Sequence, residues 1–112
     1  MVYDKARELA KMIGESEEYQ SYKALKEKAL ENDTTKALIK EYHQIQIQAQ
    51  AAIVAGQKDE AAMERLQKIG EILQMNQDAS AYLISEYRLN RMLGDVYKIL
   101  ADAIDANLDM LD

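Results

Sequence analysis

The stretch HQIQIQAQAAIVAG, His43 to Gly56, decides the fold class of this sequence. From Ile45 to Ala51 apolar and polar residues alternate, which on its own is typical of a β-strand. A strand would need turn residues on both sides, and none occurs between Thr35 and Gly56. An uninterrupted run of about twenty residues is also too long for a strand of the usual five or six. We therefore predict a helix.

This helix would be apolar on two sides. At about 100° per residue, Ile47 and Val54 lie nearly opposite the main apolar arc, with His43 beside them. A helix that is apolar on two sides is either sandwiched in its own bundle or shared with another chain. We favour an interface with another chain, formed by His43, Ile47 and Val54, over isolated exposed apolar residues. The main arc contains Leu38, Tyr42, Ile45, Ala49, Ala52 and Ile53.

The rest of the chain predicts four more amphipathic helices, since Pro is absent and Gly occurs only four times. We expect a third helix capped by Asp33 or Thr34 and joined at Gly56 to a fourth, as an antiparallel hairpin. Gly70, on the apolar face of the fourth helix, either admits a close backbone or is merely tolerated. The first predicted helix is Val2–Ile13, ended by Gly14. The second is capped by Ser16 and has an apolar stripe of Tyr22, Leu25 and Ala29. The fourth is Glu60–Gln74, capped by Asp59, and the fifth runs from Ala79 toward Leu108.

The predicted fold is therefore all-α, with about five helices that form a bundle around the long hairpin. At 112 residues the chain suits a single domain, residues 1–112. Lacking Cys, it has no disulfide and no thiolate metal site. No secretory segment and no apolar stretch of about 18 residues is found, so we expect a cytosolic protein.

The charge pattern disfavours direct, tight binding to nucleic acid and binding to an anionic membrane. The net charge is −6, and basic residues are interleaved with acidic ones up to Lys98. Beyond Lys98 the sequence has only acidic charges: Asp102, Asp105, Asp109 and Asp112. An acidic row on one helix lacks the convergent oxygens that calcium requires, so we predict no metal site there.

No catalytic pattern is recognisable. The single His lies in Glu41-Tyr42-His43, which does not match the Glu-x-x-His pairs of di-iron bundles. The serines have no triad context, and the scattered glycines form no phosphate loop. We predict no catalytic, cofactor or metal residues. Glu86 falls in the apolar arc of the fifth helix, where it either pairs with a basic or Tyr side chain or reaches water.

Two segments resemble the YlbF/YmcA-like, or control-of-competence, family of small bacterial helical proteins. The first is VYDKARELAKMIGESEEYQSYKALKEKA, with Ser16, Glu17, Glu18 and Tyr19 at the family's opening of the second helix. The second is EYRLNRMLGDVYKIL, with Glu86, Arg88 and Asn90 in a Glu-x-Arg-x-Asn pattern. The resemblance spans nearly the whole chain through soft helical motifs. Since the chain has no C-terminal Cys, it resembles most the branch without one, near the YheA-like members.

The resemblance implies an adaptor or regulatory role. Family members are linked to a complex that steers an RNA-degrading endonuclease, and thereby competence, sporulation and biofilm formation. Some carry iron–sulfur clusters on Cys residues, which this chain lacks, so no cofactor is implied. We expect a non-enzymatic protein that self-associates and binds paralogous helical proteins or such an endonuclease complex. The alternatives are an RNA-binding module assembled on oligomerisation and a purely structural oligomer.

Overall fold

The computed structural model describes residues 1–104, and these form five α-helices without a strand. The helices are α1 Val2–Glu15, α2 Glu17–Ala29, α3 Asp33–Val54, α4 Glu60–Gln74 and α5 Gln77–Ala103. The predicted all-α fold class is confirmed, and so is the helical reading of Ile45–Ala51. The predicted extension of the fifth helix to Leu108, with Asp105, Asp109 and Asp112, lies outside the described residues.

The chain forms two compact units. Unit 1 combines Met1–Lys23 with Ile84–Asp112, and unit 2 is Ala24–Leu83. Unit 2 contains the whole of α3 and α4, whereas α2 and α5 each contribute a part to both units. The expectation of a single domain over 1–112 stays a prediction.

Unit 2 is built on the α3–α4 hairpin. The two helices pack along each other, and their contact buries Ile39, Ile69 and Leu73 to 2% exposure or less. Ala49 and Ala62 are also buried. Two small side chains at these positions allow two helices to approach closely, and three large ones fill the remaining space. At the surface, Arg65 Nε donates to Glu41 Oε1 at 2.9 Å and joins the same two helices.

The connection between α3 and α4 follows the predicted pattern. Gly56 adopts a φ of 75°, a conformation that glycine accepts readily and other residues adopt at a cost. The amides of Gly56 and Gln57 donate to Ile53 O at 3.0 Å and Ala52 O at 2.8 Å, which satisfies carbonyls at the end of α3. Asp59 then caps α4 as predicted, since its carboxylate accepts from Ala62 N at 3.0 Å.

Three predicted helix ends are wrong. The fifth helix begins at Gln77 instead of Ala79, because the Asn76 side chain caps it by accepting from Ala79 N at 3.1 Å. The first helix does not end at Gly14 but continues to Glu15, because Ser16 supplies the stop. The Ser16 amide and hydroxyl both donate to Ile13 O, at 3.1 and 2.6 Å, and the hydroxyl accepts from Tyr19 N at 3.2 Å. Ser16 thus ends α1 and caps α2, the latter as predicted.

The cap of α3 is Asn32, not Asp33 or Thr34. The Asn32 side chain accepts from Thr35 N at 3.0 Å. Asn and Asp are equally good caps, so the sequence ENDTT offers competing starts for the helix. The start at Asn32 allows Thr35 to be buried, and Thr35 Oγ1 there accepts from Asn76 Nδ2 at 3.1 Å.

The core of α3 differs from the predicted arc at both ends. Ile39, outside the predicted arc, is the most deeply buried side chain of the helix, and Ile53, inside the predicted arc, is 58% exposed. Ile53 lies in the last turn of α3, next to a connection whose residues 55–58 are all exposed. Helical periodicity predicts which side of the helix a side chain lies on. It does not predict whether a neighbouring helix extends far enough to cover that side chain.

We predict that Gly70→Ala stabilises the protein. A Cβ at position 70 would meet Tyr42 Cε1 at 3.6 Å, an ordinary van der Waals contact. Replacing a glycine inside a helix should raise the free energy of unfolding by about 0.5–1 kcal/mol. Urea unfolding followed by circular dichroism measures the change.

The matched control is Gly56→Ala. A Cβ there meets nothing within 4 Å, but the φ of 75° disfavours any L-residue, so this variant should lose about 1–2 kcal/mol. A destabilised Gly70→Ala variant would mean that α3 and α4 require a glycine for their close approach.

Candidate protein interface on helix α3

The C-terminal half of α3 carries an exposed apolar face opposite the helix core. Ile47 is 71% and Val54 is 79% exposed. Together with Ala51 and the apolar parts of Gln46 and Gln50 they line an open groove of about 620 Å³. Relative to Ile47, the residues at i+3, i+4 and i+7 share one side of a helix. We call these five residues the α3 face.

The α3 face lies within a long segment without charge. From Gln44 to Gln57 no residue is acidic or basic, although 30% of the whole chain is charged. The polar side chains of this segment are all glutamines, whose amide groups both donate and accept hydrogen bonds. The surface therefore offers apolar contact and neutral hydrogen bonding, and it requires no ionic partner.

A hydrogen-bonded bridge holds this end of α3 in place. Gln48 Nε2 donates to Asp59 Oδ2 at 2.9 Å, while Asp59 Oδ1 accepts from Ala62 N. Two hydrogen bonds lower the pKa of the Asp59 carboxyl below its ordinary value. The bond from the Ala62 amide has the larger effect and the bond from Gln48 the smaller. One carboxylate thus joins α3 to the first turn of α4, immediately beside Ile47.

His43 does not line the groove. Its side chain is half-buried, and its ring lies edge-on to the ring of Tyr82 with 6.4 Å between the centroids. Tyr42 is a second ring neighbour at 6.4 Å. The structure therefore brings Ile47 and Val54 together on one surface and directs the third predicted interface residue toward α5.

The residues that carry the family resemblance lie in unit 1, on α2 and α5 and at the junction of α1 and α2. Ser16 is the cap described above, Glu17 and Glu18 occupy the first turn of α2, and the rings of Tyr19 and Tyr22 are 6.4 Å apart. Acidic residues in a first turn are stabilised by the helix dipole. On α5, Glu86 is half-buried, and Arg88 and Asn90 are exposed.

A second cavity of about 420 Å³ lies at the other end of the hairpin, near Asn32, Thr35 and Asn76. Its polar groups bond to one another: Asn76 donates to Thr35, and the Asn32 and Asn76 carbonyl oxygens cap α3 and α5. These side chains serve the fold, so we do not assign a ligand site there.

Within residues 1–104, no group of three or more His, Asp or Glu side chains could hold a metal ion. In the same part of the chain, no helix is both long and apolar enough to cross a membrane.

The predicted interface does not include three residues of the α3 face: Gln46, Gln50 and Ala51. Two signals in the sequence point to them. They lie within one helical turn of Ile47 or Val54, and they belong to the segment without charge.

Comparison with known proteins gives consistent matches over nearly the whole chain. Residues 2–105 match the family "Control of competence regulator ComK, YlbF/YmcA". A UPF0342 protein of Symbiobacterium thermophilum is 34% identical over 108 residues, 96% of each chain. A UPF0342 protein of Halothermothrix orenii is 33% identical over 108 residues, 96% of this chain and 92% of its own.

Two solved structures share the fold at 20% identity. A DUF964 protein from Bacillus stearothermophilus has a TM-score of 0.77 and covers 93% of this chain and 92% of its own. Bacillus subtilis RicA in complex with RicF has a TM-score of 0.61 and covers 93% of each chain.

We predict that Asp59 contributes to stability in a pH-dependent way. Because the folded-state pKa is lowered, the contribution is complete above the unfolded value of about 3.9 and is lost as the pH falls through the folded value. Asp59→Ala should therefore unfold at lower urea concentration than the unchanged protein at pH 7, and this difference should shrink as the pH falls below about 3.9.

The control is Asp59→Asn, which keeps an oxygen for the cap but has no charge to titrate. It should lose less stability than Asp59→Ala at pH 7. A difference between Asp59→Ala and the unchanged protein that stays constant with pH would contradict the assigned role.

Proposed function

Because the chain belongs to the control-of-competence YlbF/YmcA family, we propose that it is a non-enzymatic helical adaptor of the bacterial cytoplasm that self-associates through the α3 face. The observation that carries this proposal is the exposure of Ile47 and Val54 on a helix whose other side is already covered. Apolar patches of this kind on protein surfaces mark sites of interaction with other proteins.

A second copy of the chain is the occupant that fits the α3 face. Two copies, each with a net charge of −6, repel one another through most of their surface. The segment Gln44–Gln57 carries no charge, so repulsion is weakest there. Glutamine amides are also self-complementary, which suits a two-fold contact that places the same residues on both sides of the axis.

An adaptor needs partners besides itself, and the comparisons support helical ones. RicA, which shares this fold, was solved in complex with RicF. We propose by this likeness that the chain also binds paralogous helical proteins. By family resemblance these complexes act on an RNA endonuclease, and thereby on RNA decay, competence, sporulation or biofilm development. Membership of the YheA-like branch stays a prediction.

Changing Ile47 and Val54 together to Lys should separate the copies. Each Lys would be buried without a counter-charge in the contact, so the dissociation constant should rise at least about 100-fold. The helical content should persist, because Ile39, Ile69 and Leu73 are untouched. Light scattering reads the mass, and circular dichroism reads the fold.

The matched control adds the same two charges to exposed positions of the hairpin outside the uncharged segment and the groove, as Ala37→Lys on α3 with Gln67→Lys on α4. This variant should keep the mass of the unchanged protein. If the Ile47/Val54 variant also keeps that mass, self-association does not use the α3 face, and the proposal fails.

We predict that the purified protein binds RNA only weakly. Affinity for RNA rests on phosphate neutralisation by clustered basic side chains, which a chain of net charge −6 lacks. Fluorescence anisotropy with a labelled single-stranded RNA should detect at most binding that disappears at about 150 mM salt. A DNA strand of the same sequence is the control for simple phosphate attraction. A tight complex that resists this salt would instead favour the RNA-binding alternative.

A further inference from the structure

The side of α3 that carries the α3 face changes its chemistry along the helix. At about 100° per residue, Lys36 and Lys40 lie within about 20° of the direction of Ile47. Both lysines are exposed. This side of α3 is therefore positively charged in the N-terminal half of the helix, whereas from Gln44 onward it carries no charge.

The uncharged part of this side is symmetric about a point between Gln50 and Ala51. Ile47 and Val54 lie equally far from this point in opposite directions along the helix, and both are large, apolar and exposed. The ends of the uncharged segment, at Gln44 and Gln57, are also equally far from it. A surface with this symmetry presents the same chemistry when it is turned end to end, so it matches a reversed copy of itself.

We propose that two copies of the chain meet antiparallel on the α3 face, around a two-fold axis that passes between Gln50 and Ala51. Ile47 of each copy then lies against Val54 of the other copy. Gln50 lies beside Gln50 of the second copy, and Ala51 lies beside Ala51. This inference rests on the self-association proposed above, and it adds the direction of the second copy and the residues that fix it.

The charges of α3 favour the antiparallel direction. A two-fold axis can also relate two parallel helices, and each residue then lies level with the same residue of the second copy. Lys36 and Lys40 would in that case lie against their own counterparts, and like charges in contact repel. In the antiparallel pair only uncharged segments overlap, because α3 ends at Val54 and the two lysines lie beyond the end of the other copy's helix.

Hydrogen bonding by Gln50 favours the same direction. Gln50 lies to one side of the line from Ile47 to Val54, and Ala51 lies to the other side. In an antiparallel pair the same sides meet, so the Gln50 amide can both donate to and accept from Gln50 of the second copy. In a parallel pair Gln50 would lie beside Ala51, whose methyl group offers no hydrogen bond, and a buried amide without a partner is unfavourable.

The small side chain of Ala51 suits the centre of such a contact. Packed helices lie about 8–10 Å apart, and the side chains at the contact set this distance. Two alanines that face each other at the axis allow the shorter distance. The large side chains of Ile47 and Val54 then meet on either side of the axis and exclude water from the centre.

Disulfide formation can measure the direction of the second copy, because the chain has no Cys of its own. Two mixtures of single-Cys variants are needed: Ile47→Cys with Val54→Cys, and Gln50→Cys with Ala51→Cys. All four positions are exposed, so the fold of one chain does not depend on them. Each equimolar mixture is equilibrated in a glutathione buffer, and mass spectrometry then measures the ratio of mixed disulfides to like disulfides.

The two mixtures should give opposite results if the copies are antiparallel. Ile47→Cys with Val54→Cys should form the mixed disulfide, at a ratio at least about tenfold above the statistical one, because a disulfide needs Cβ atoms within about 4.5 Å. Gln50→Cys with Ala51→Cys should instead form the two like disulfides. A parallel pair would reverse both results.

The control mixture is Ala37→Cys with Gln67→Cys, two exposed positions outside the α3 face, and it should give the statistical ratio. If both test mixtures show the parallel pattern, the antiparallel inference is wrong and the self-association proposal stands. If both test mixtures match the control, the α3 face does not meet itself and both proposals fail.

Discussion

The packing of α4 along one side of α3 is the constraint on which the rest of unit 2 depends. In the 22-residue helix α3, Ile39 and Ala49 are buried, whereas Ile47 and Val54, further round the helix, stay exposed. The outward side of this helix carries Ile47 and Val54 instead of the charged residues usual on a surface helix. The candidate interface is thus a geometric consequence of the same contact that forms the core.

Much of this architecture can be predicted from the sequence because its signals are local. Asp59 and Ser16 need only the helix that follows each of them in order to cap it. Gly56 likewise adopts by itself the left-handed conformation that ends α3. Where local signals compete, the sequence is not decisive. Asn32, Asp33 and Thr34 are all good caps, and the choice of Asn32 is coupled to the burial of Thr35 and its bond with Asn76, 41 residues further along the chain.

The part of the candidate interface that depends only on the periodicity of α3 can be predicted from the sequence. Periodicity alone identifies Ile47 and Val54 as lying away from the core. The position of His43 is not a property of one helix, because its ring lies against Tyr82, a residue of α5. The helical angle of His43 puts it near the apolar face, but its ring lies edge-on to that of Tyr82, a residue distant in the sequence. Contacts of this kind require the tertiary structure.

The distribution of charge limits where two copies of this acidic chain can meet. Net repulsion between copies opposes contacts through most of the surface, so only surfaces without net charge are available for apolar contact. Among the described residues, the segment Gln44–Gln57 and helix α1 both lack net charge, for different reasons. The segment Gln44–Gln57 has no charges at all, whereas α1 balances its charges within the helix through pairs such as Lys5–Glu8. Exposed pairs of this kind add little stability to a helix. Their effect is to leave α1 without net charge, so this helix adds nothing to the repulsion between two copies.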